Sequence, residues 1–181
     1  MSIPNIISLG RLLAVPVAVW LILSGRFGMA FWIFVMAGIS DAIDGFLAKR
    51  LHAQTELGKV LDPLADKVLL VSVYVTLGQA GYIPVWLVIL VVFRDALIVG
   101  GIILSHTVGR PVRMRPLVVS KINTAAQIIL AAAVLGVEGL GMRIAPMMDP
   151  MAYTVAATTL ASGGAYLVTW ARMVANSGNG N

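Results

Sequence analysis

Cysteine is absent from the 181 residues, which excludes disulfides and thiol chemistry without fixing a compartment. Charge is scarce as well. Charged residues make up 12% of the chain, where a soluble domain carries about 25%. Acids are the rarer sign, with 8 Asp and Glu against 13 Lys and Arg. No internal repeat and no low-complexity tract is seen. What fills the chain is apolar: 59% of residues are hydrophobic and the mean hydropathy is +0.93.

Apolar runs of about 20 residues are the length of a membrane-crossing helix. Six recur here, at about 6–24, 28–49, 60–79, 84–105, 119–137 and 150–171. The expected fold is therefore an all-α integral membrane protein with six transmembrane helices and no separate soluble domain. A polar tail over 175–181 is expected to fray. Pro16 should kink the first span modestly. The first run begins near Met1, but Arg11 lies inside it and no A-x-A-like cleavage site follows, so it reads as a span and not as a cleaved signal.

The net charge is +5 and the pI about 10.0, a balance that in a soluble chain suggests nucleic acid. Here the basic residues lie between apolar runs. Orientation in the membrane and contact with anionic lipid explain them better, and no nucleic-acid partner is expected. The 49–59 link holds Lys49, Arg50 and Lys59, and the 106–121 link holds Arg110, Arg113, Arg115 and Lys121. The link at 78–84 has no charge. The positive-inside rule then puts both termini and both basic links in the cytoplasm.

Half of the acids are Asp41, Asp44, Asp62 and Asp66, which stand with Glu56 in one stretch, "SDAIDGFLAKRLHAQTELGKVLDPLADK". Asp41, Asp44 and Ala48 share a helical face by their spacing, and so do Asp62 and Asp66. A turn between them, through Gly58, would let two neighbouring antiparallel helices point four carboxylates into one space. Such carboxylates need a bound cation or raised pKa values. Oxygen-only ligands suit Mg2+, Mn2+ or Ca2+. A pair of metals is a familiar device for displacement at phosphorus. Lys49, Arg50 or Lys67 could instead pair with single acids structurally, but four acids at helical spacings in an apolar chain favour function.

In order, the residues read Asp41-x-x-Asp44-Gly45-x-x-Ala48, then Gly58-x-x-x-Asp62-x-x-x-Asp66. This resembles the signature of the CDP-alcohol phosphatidyltransferases. One position departs: Lys49 follows the Ala where the family has Arg, so either Lys49 or Arg50 reaches the diphosphate. Lys keeps the charge and loses the bidentate fork. The N-terminal "IPNIISLGR" is also similar to the family. Its Asn5, Ser8 and Arg11 fall three apart, placed either to reach the nucleotide phosphates or to act as an interfacial anchor.

The resemblance implies six transmembrane helices around a polar cavity open to the cytoplasm, in a bacterial inner (cell) membrane, and is compatible with a homodimer. It implies CDP-diacylglycerol as donor, bound against Gly45, Ala48 and Gly58. Asp41, Asp44, Asp62 and Asp66 would hold the divalent cation, Mg2+ or Mn2+, two ions in all. Asp66 would also be the general base for an acceptor hydroxyl, with CMP as leaving group.

The acceptor is read from fewer residues. "FRDALIVGG" puts Arg94 and Asp95 inside the fourth span, as an acceptor contact or a structural pair. Arg110, Arg113, Arg115 and Lys121 either bind an acceptor phosphate or enforce topology. "RD" with "SKINTAAQ" looks more like the CMP-forming cardiolipin synthases, which use phosphatidylglycerol. The similar phosphatidylglycerophosphate synthases use glycerol 3-phosphate and show "RE" and "GK-x-KT". Phosphatidylglycerol is therefore preferred over glycerol 3-phosphate, and inositol or serine fits less well. Two other classes compete: a small cation channel or transporter lined by Asp, and a structural membrane protein with a decayed site. Clustering of the acids near one end of two spans disfavours the first, and the full set of four disfavours the second.

Overall fold

The computed structural model describes residues 3–50, 56–107 and 118–178, with side chains described within 9–41, 64–101, 118–144 and 146–171. Six α-helices run through these residues in the order α1 (Ile3–Leu23), α2 (Phe27–Arg50), α3 (Glu56–Gln79), α4 (Val85–Thr107), α5 (Val118–Leu140) and α6 (Met148–Gly178). No strand occurs among the described residues. Val and Ile are frequent in α4, and in water they favour strands. In hydrocarbon a lone strand leaves its backbone groups without partners, so the helix wins.

Each helix lies over one of the six apolar runs. α1 continues through Pro16 without a break in the helix. α6 is the longest, at 31 residues, and carries on to Gly178. No Pro interrupts this end of the helix, and Asn, Ser and Gly each weaken a helix by about 1 kcal/mol or less. Residues 179–181 lie outside the described residues. At its other end α6 opens with Asp149 and Pro150, an acid on the positive pole of the helix and a ring that needs no N–H there.

The helix ends are closed locally. Gly25 takes φ 70°, the Arg26 N–H bonds back to the Leu21 carbonyl, and the Gly25 N–H bonds to Ile22. This is a Schellman cap, which asks for a residue without a Cβ. α3 ends in the same way at Gly81, where Tyr82 N–H reaches the Leu77 carbonyl.

The helices divide into two compact units. One comprises residues 1–84 with 131–148, the other residues 85–130 with 149–181. In the first, α1 packs on both α2 and α3. Val15, Ala18 and Ile22 face inward from α1, Ala30, Phe34 and Ala37 from α2, and Leu69, Val73 and Leu77 from α3. Those spacings of three and four mark one helical face each, and the small residues let backbones approach. In the second unit the buried residues of α4 include Arg94 and Asp95, those of α5 Asn123 and Gln127, and those of α6 Thr159 and Ser162.

Apolar side chains point the other way. Leu13 and Phe93 are each 65% exposed, and Trp20, Trp32, Ile89, Ile129 and Leu160 are exposed too. Polar groups inside and large apolar groups outside is the pattern of a protein surrounded by hydrocarbon. Among the described residues one helix, Val118–Leu140, is by itself long and apolar enough to cross a membrane. Leu9–Leu23 and Phe27–Asp41 are shorter apolar helices.

Candidate active site

Arg11 stands on α1, two turns into the helix, with its side chain 2% exposed. A cation placed there in an apolar segment needs anions, and among the described residues Asp41 and Asp66 answer it. Its Nη1 donates to Asp41 Oδ1 of α2 at 2.9 Å and also to Asp66 Oδ1 of α3. Both are charge-assisted hydrogen bonds, roughly twice as strong as neutral ones. The packing of α1 against α2 and α3 thus coincides with an electrostatic joint between all three.

The two carboxylates are placed differently from the guanidinium. The Asp41 and Asp66 side chains keep 44% and 41% exposure. A ligand can reach them directly, while the Arg11 guanidinium is buried in this structure. Asp44 lies on α2 and Asp62 on α3, and their side chains are outside the described residues. Among the described residues no three His, Cys, Asp or Glu gather as metal ligands. The residues present nevertheless fit a divalent cation. Two hard carboxylate groups from different helices already converge on one positive charge, and oxygen donors are what Mg2+ and Mn2+ prefer.

The expected convergence of the α2 and α3 acids is therefore seen for Asp41 and Asp66. The joining element is one the spacing did not foresee: α1 supplies the cation for both. Asn5, Gly45, Ala48, Lys49, Arg50 and Gly58 have side-chain positions outside the described residues, and Arg110, Arg113 and Arg115 lie outside them altogether. Lys121 is exposed near the start of α5.

A second polar set occupies the other unit. Arg94 is 4% exposed, and its Nη1 donates to Asp95 Oδ1 at 2.6 Å. Its Nη2 donates to Ser120 Oγ of α5 at 2.6 Å and to Ser162 Oγ of α6. The guanidinium carbon lies 6.0 Å from the centre of the Tyr166 ring. One turn along both helices comes a second rung, where Asn123 Oδ1 accepts from Thr158 at 2.9 Å and from Thr159 at 2.8 Å. Arg94 is thus placed as a buried ion pair and a tie between α4, α5 and α6. Sequence reading singled out Arg94 and Asp95 but missed Thr158, Thr159 and Ser162. Their signal was hydroxyl residues three apart on an apolar helix, which also describes ordinary helix packing.

The sequence profile of the CDP-alcohol phosphatidyltransferase family matches residues 1–170. The chain is 34% identical to the cardiolipin synthase (CMP-forming) of Rattus norvegicus, over 91% of this chain and 60% of that protein. It is 33% identical to the chloroplastic CDP-diacylglycerol–glycerol-3-phosphate 3-phosphatidyltransferase 1 of Oryza sativa subsp. japonica, over 90% of this chain and 55% of that protein. The cardiolipin synthase (CMP-forming) of Streptomyces coelicolor is 38% identical over 59% of this chain and 53% of its own length. The chain therefore spans only about half to 60% of the length of these relatives. With the profile covering nearly the whole sequence, and the Asp41 and Asp66 of its signature brought onto one guanidinium, the chain belongs to the CDP-alcohol phosphatidyltransferase family.

Proposed function

We propose that this chain moves the phosphatidyl group of CDP-diacylglycerol to a hydroxyl of a phosphate-bearing glycerol, with release of CMP. Phosphatidylglycerol is the preferred acceptor, ahead of glycerol 3-phosphate. The observation that carries the reading is the meeting of Asp41 and Asp66, from two helices, at one reachable and charge-compensated point.

In this reading Asp41, Asp44, Asp62 and Asp66 would hold the divalent cation, Mg2+ or Mn2+, two ions in all, which would offset the charge of the donor diphosphate and of the departing CMP. The chain's own residues do the rest. Gly45, Ala48 and Gly58 leave room for the cytidine, and Asn5, Arg11 and Lys49 or Arg50 contact the phosphates. Asp66 accepts the proton of the acceptor hydroxyl. The freed oxygen bonds to the lipid-side phosphorus, the bond from that phosphorus to the bridging oxygen breaks, and CMP leaves with that oxygen. Arg110, Arg113, Arg115 and Lys121 receive the acceptor phosphate. Arg94, its charge answered by Asp95, shapes the neighbouring helices.

The basic links at 49–59 and 106–121 support a site and termini on the cytoplasmic face, in a bacterium the inner membrane. The preference for phosphatidylglycerol is supported by the "RD" and "SKINTAAQ" segments, and by relatives named cardiolipin synthase. The rice relative's name keeps glycerol 3-phosphate as the competing acceptor.

The test is CMP release from CDP-diacylglycerol by purified protein with Mg2+ or Mn2+, with each acceptor in turn. Cardiolipin from phosphatidylglycerol is the expected product. Phosphatidylglycerophosphate made from glycerol 3-phosphate alone would overturn the acceptor, and no CMP with either would overturn the transfer itself.

A further inference from the structure

Arg11 carries two assignments that compete for one guanidinium. Its position on the Asn5, Ser8 and Arg11 face suits nucleotide phosphates. Its observed partners are Asp41 and Asp66, two of the acids read as cation ligands. The guanidinium is buried, so it is the fixed member, and the carboxylates are the reachable ones. A divalent cation arriving at those carboxylates meets a positive charge already there. Like charges at such range repel strongly where little water screens them. An arriving diphosphate offers the guanidinium another anion, one that matches its fork.

We propose that Arg11 is an exchangeable counter-ion: it holds Asp41 and Asp66 together in the cation-free protein and transfers its hydrogen bonds to the donor diphosphate when cation and donor bind. This rests on the reading of the acids as a cation site. The exchange keeps the helices α1, α2 and α3 joined before loading. It also makes the two ligands cooperative, because each relieves a cost of binding the other. Such coupling is reciprocal: the factor by which CDP tightens the cation is the factor by which the cation tightens CDP.

The experiment is calorimetric titration of Mn2+ into wild type, Arg11→Met and Arg11→Lys, each without CDP and at saturating CDP, with circular dichroism to verify the fold. In wild type, CDP should tighten Mn2+ by a factor within the usual allosteric range of about 5–150. Arg11→Met should bind Mn2+ alone at least about 5-fold tighter than wild type, and should lose most of the CDP effect. Arg11→Lys keeps the charge but loses the fork, so it should fall between the two. A folded Arg11→Met with unchanged or weaker Mn2+ binding overturns the proposal. If Arg11→Met does not fold, Arg11→Lys decides in the same way, since unchanged or weaker binding there overturns it too. Mn2+ binding to none of the three, with or without CDP, overturns the cation site itself and this inference with it.

Discussion

Removing Arg94 should be among the most damaging single changes in the second unit. Arg94→Met deletes the ion pair to Asp95 and two hydroxyl contacts, to Ser120 and Ser162. Taking away one partner of a buried ion pair costs about 3–5 kcal/mol, because the other charge stays buried. Hydrogen bonds between membrane helices average about 0.6 kcal/mol, so the two hydroxyl contacts add about 1 kcal/mol. The sum is a loss of about 4–6 kcal/mol. Replacing both partners, as Arg94→Met with Asp95→Leu, removes the stranded charge and should cost only about 1–2 kcal/mol. Reversible unfolding in mixed micelles, followed by circular dichroism, measures both. A single variant that loses less than about 1 kcal/mol, or a double variant as unstable as the single, would refute the view of Arg94 as a buried charge tied across three helices.

Three further outcomes are expected. A Cβ on Gly139 would lie 2.3 Å from the Gly28 backbone nitrogen and 2.5 Å from the Phe27 carbonyl carbon. Neither atom can rotate away, so Gly139→Ala should destabilise by about 1–3 kcal/mol. Gly100→Ala, with nothing within 4 Å, should be neutral or stabilising in the same melts. Gly45→Leu should abolish CDP-diacylglycerol binding while leaving insertion and helix content intact; a thermal-shift titration with CDP that matches wild type would mean the cytidine docks elsewhere.

The positions of the helices were legible because hydrocarbon demands long apolar helices, and six runs of that length are written along the chain. Where α6 stops was not, since Asn176 and Ser177 are poor helix formers without being helix breakers. In the site, periodicity revealed which acids share a face of one helix. It could not reveal what crosses between helices. Arg11 is 30 residues from Asp41 and 55 from Asp66, and no local spacing encodes those distances. The α6 hydroxyls show the same limit. Thr154 and Thr169 bond to carbonyls of their own helix, whereas Thr159 reaches across to Asn123. In sequence all three are a threonine in an apolar segment.

In the proposed phosphatidyl transfer Asp66 acts as the base, beyond any share in binding. Asp66→Asn keeps the shape and one carbonyl oxygen but cannot take a proton. Calorimetric CDP binding in the presence of Mn2+ and CMP release from CDP-diacylglycerol should be measured on one preparation of that variant, beside Asp41→Asn. The account predicts CDP binding close to wild type and a kcat lower by about 10²–10⁴, the usual contribution of a positioned base. Asp41→Asn should instead weaken CDP and cation binding together. An Asp66→Asn protein that turns over near the wild-type rate, or that loses CDP binding as badly as Asp41→Asn, would contradict it.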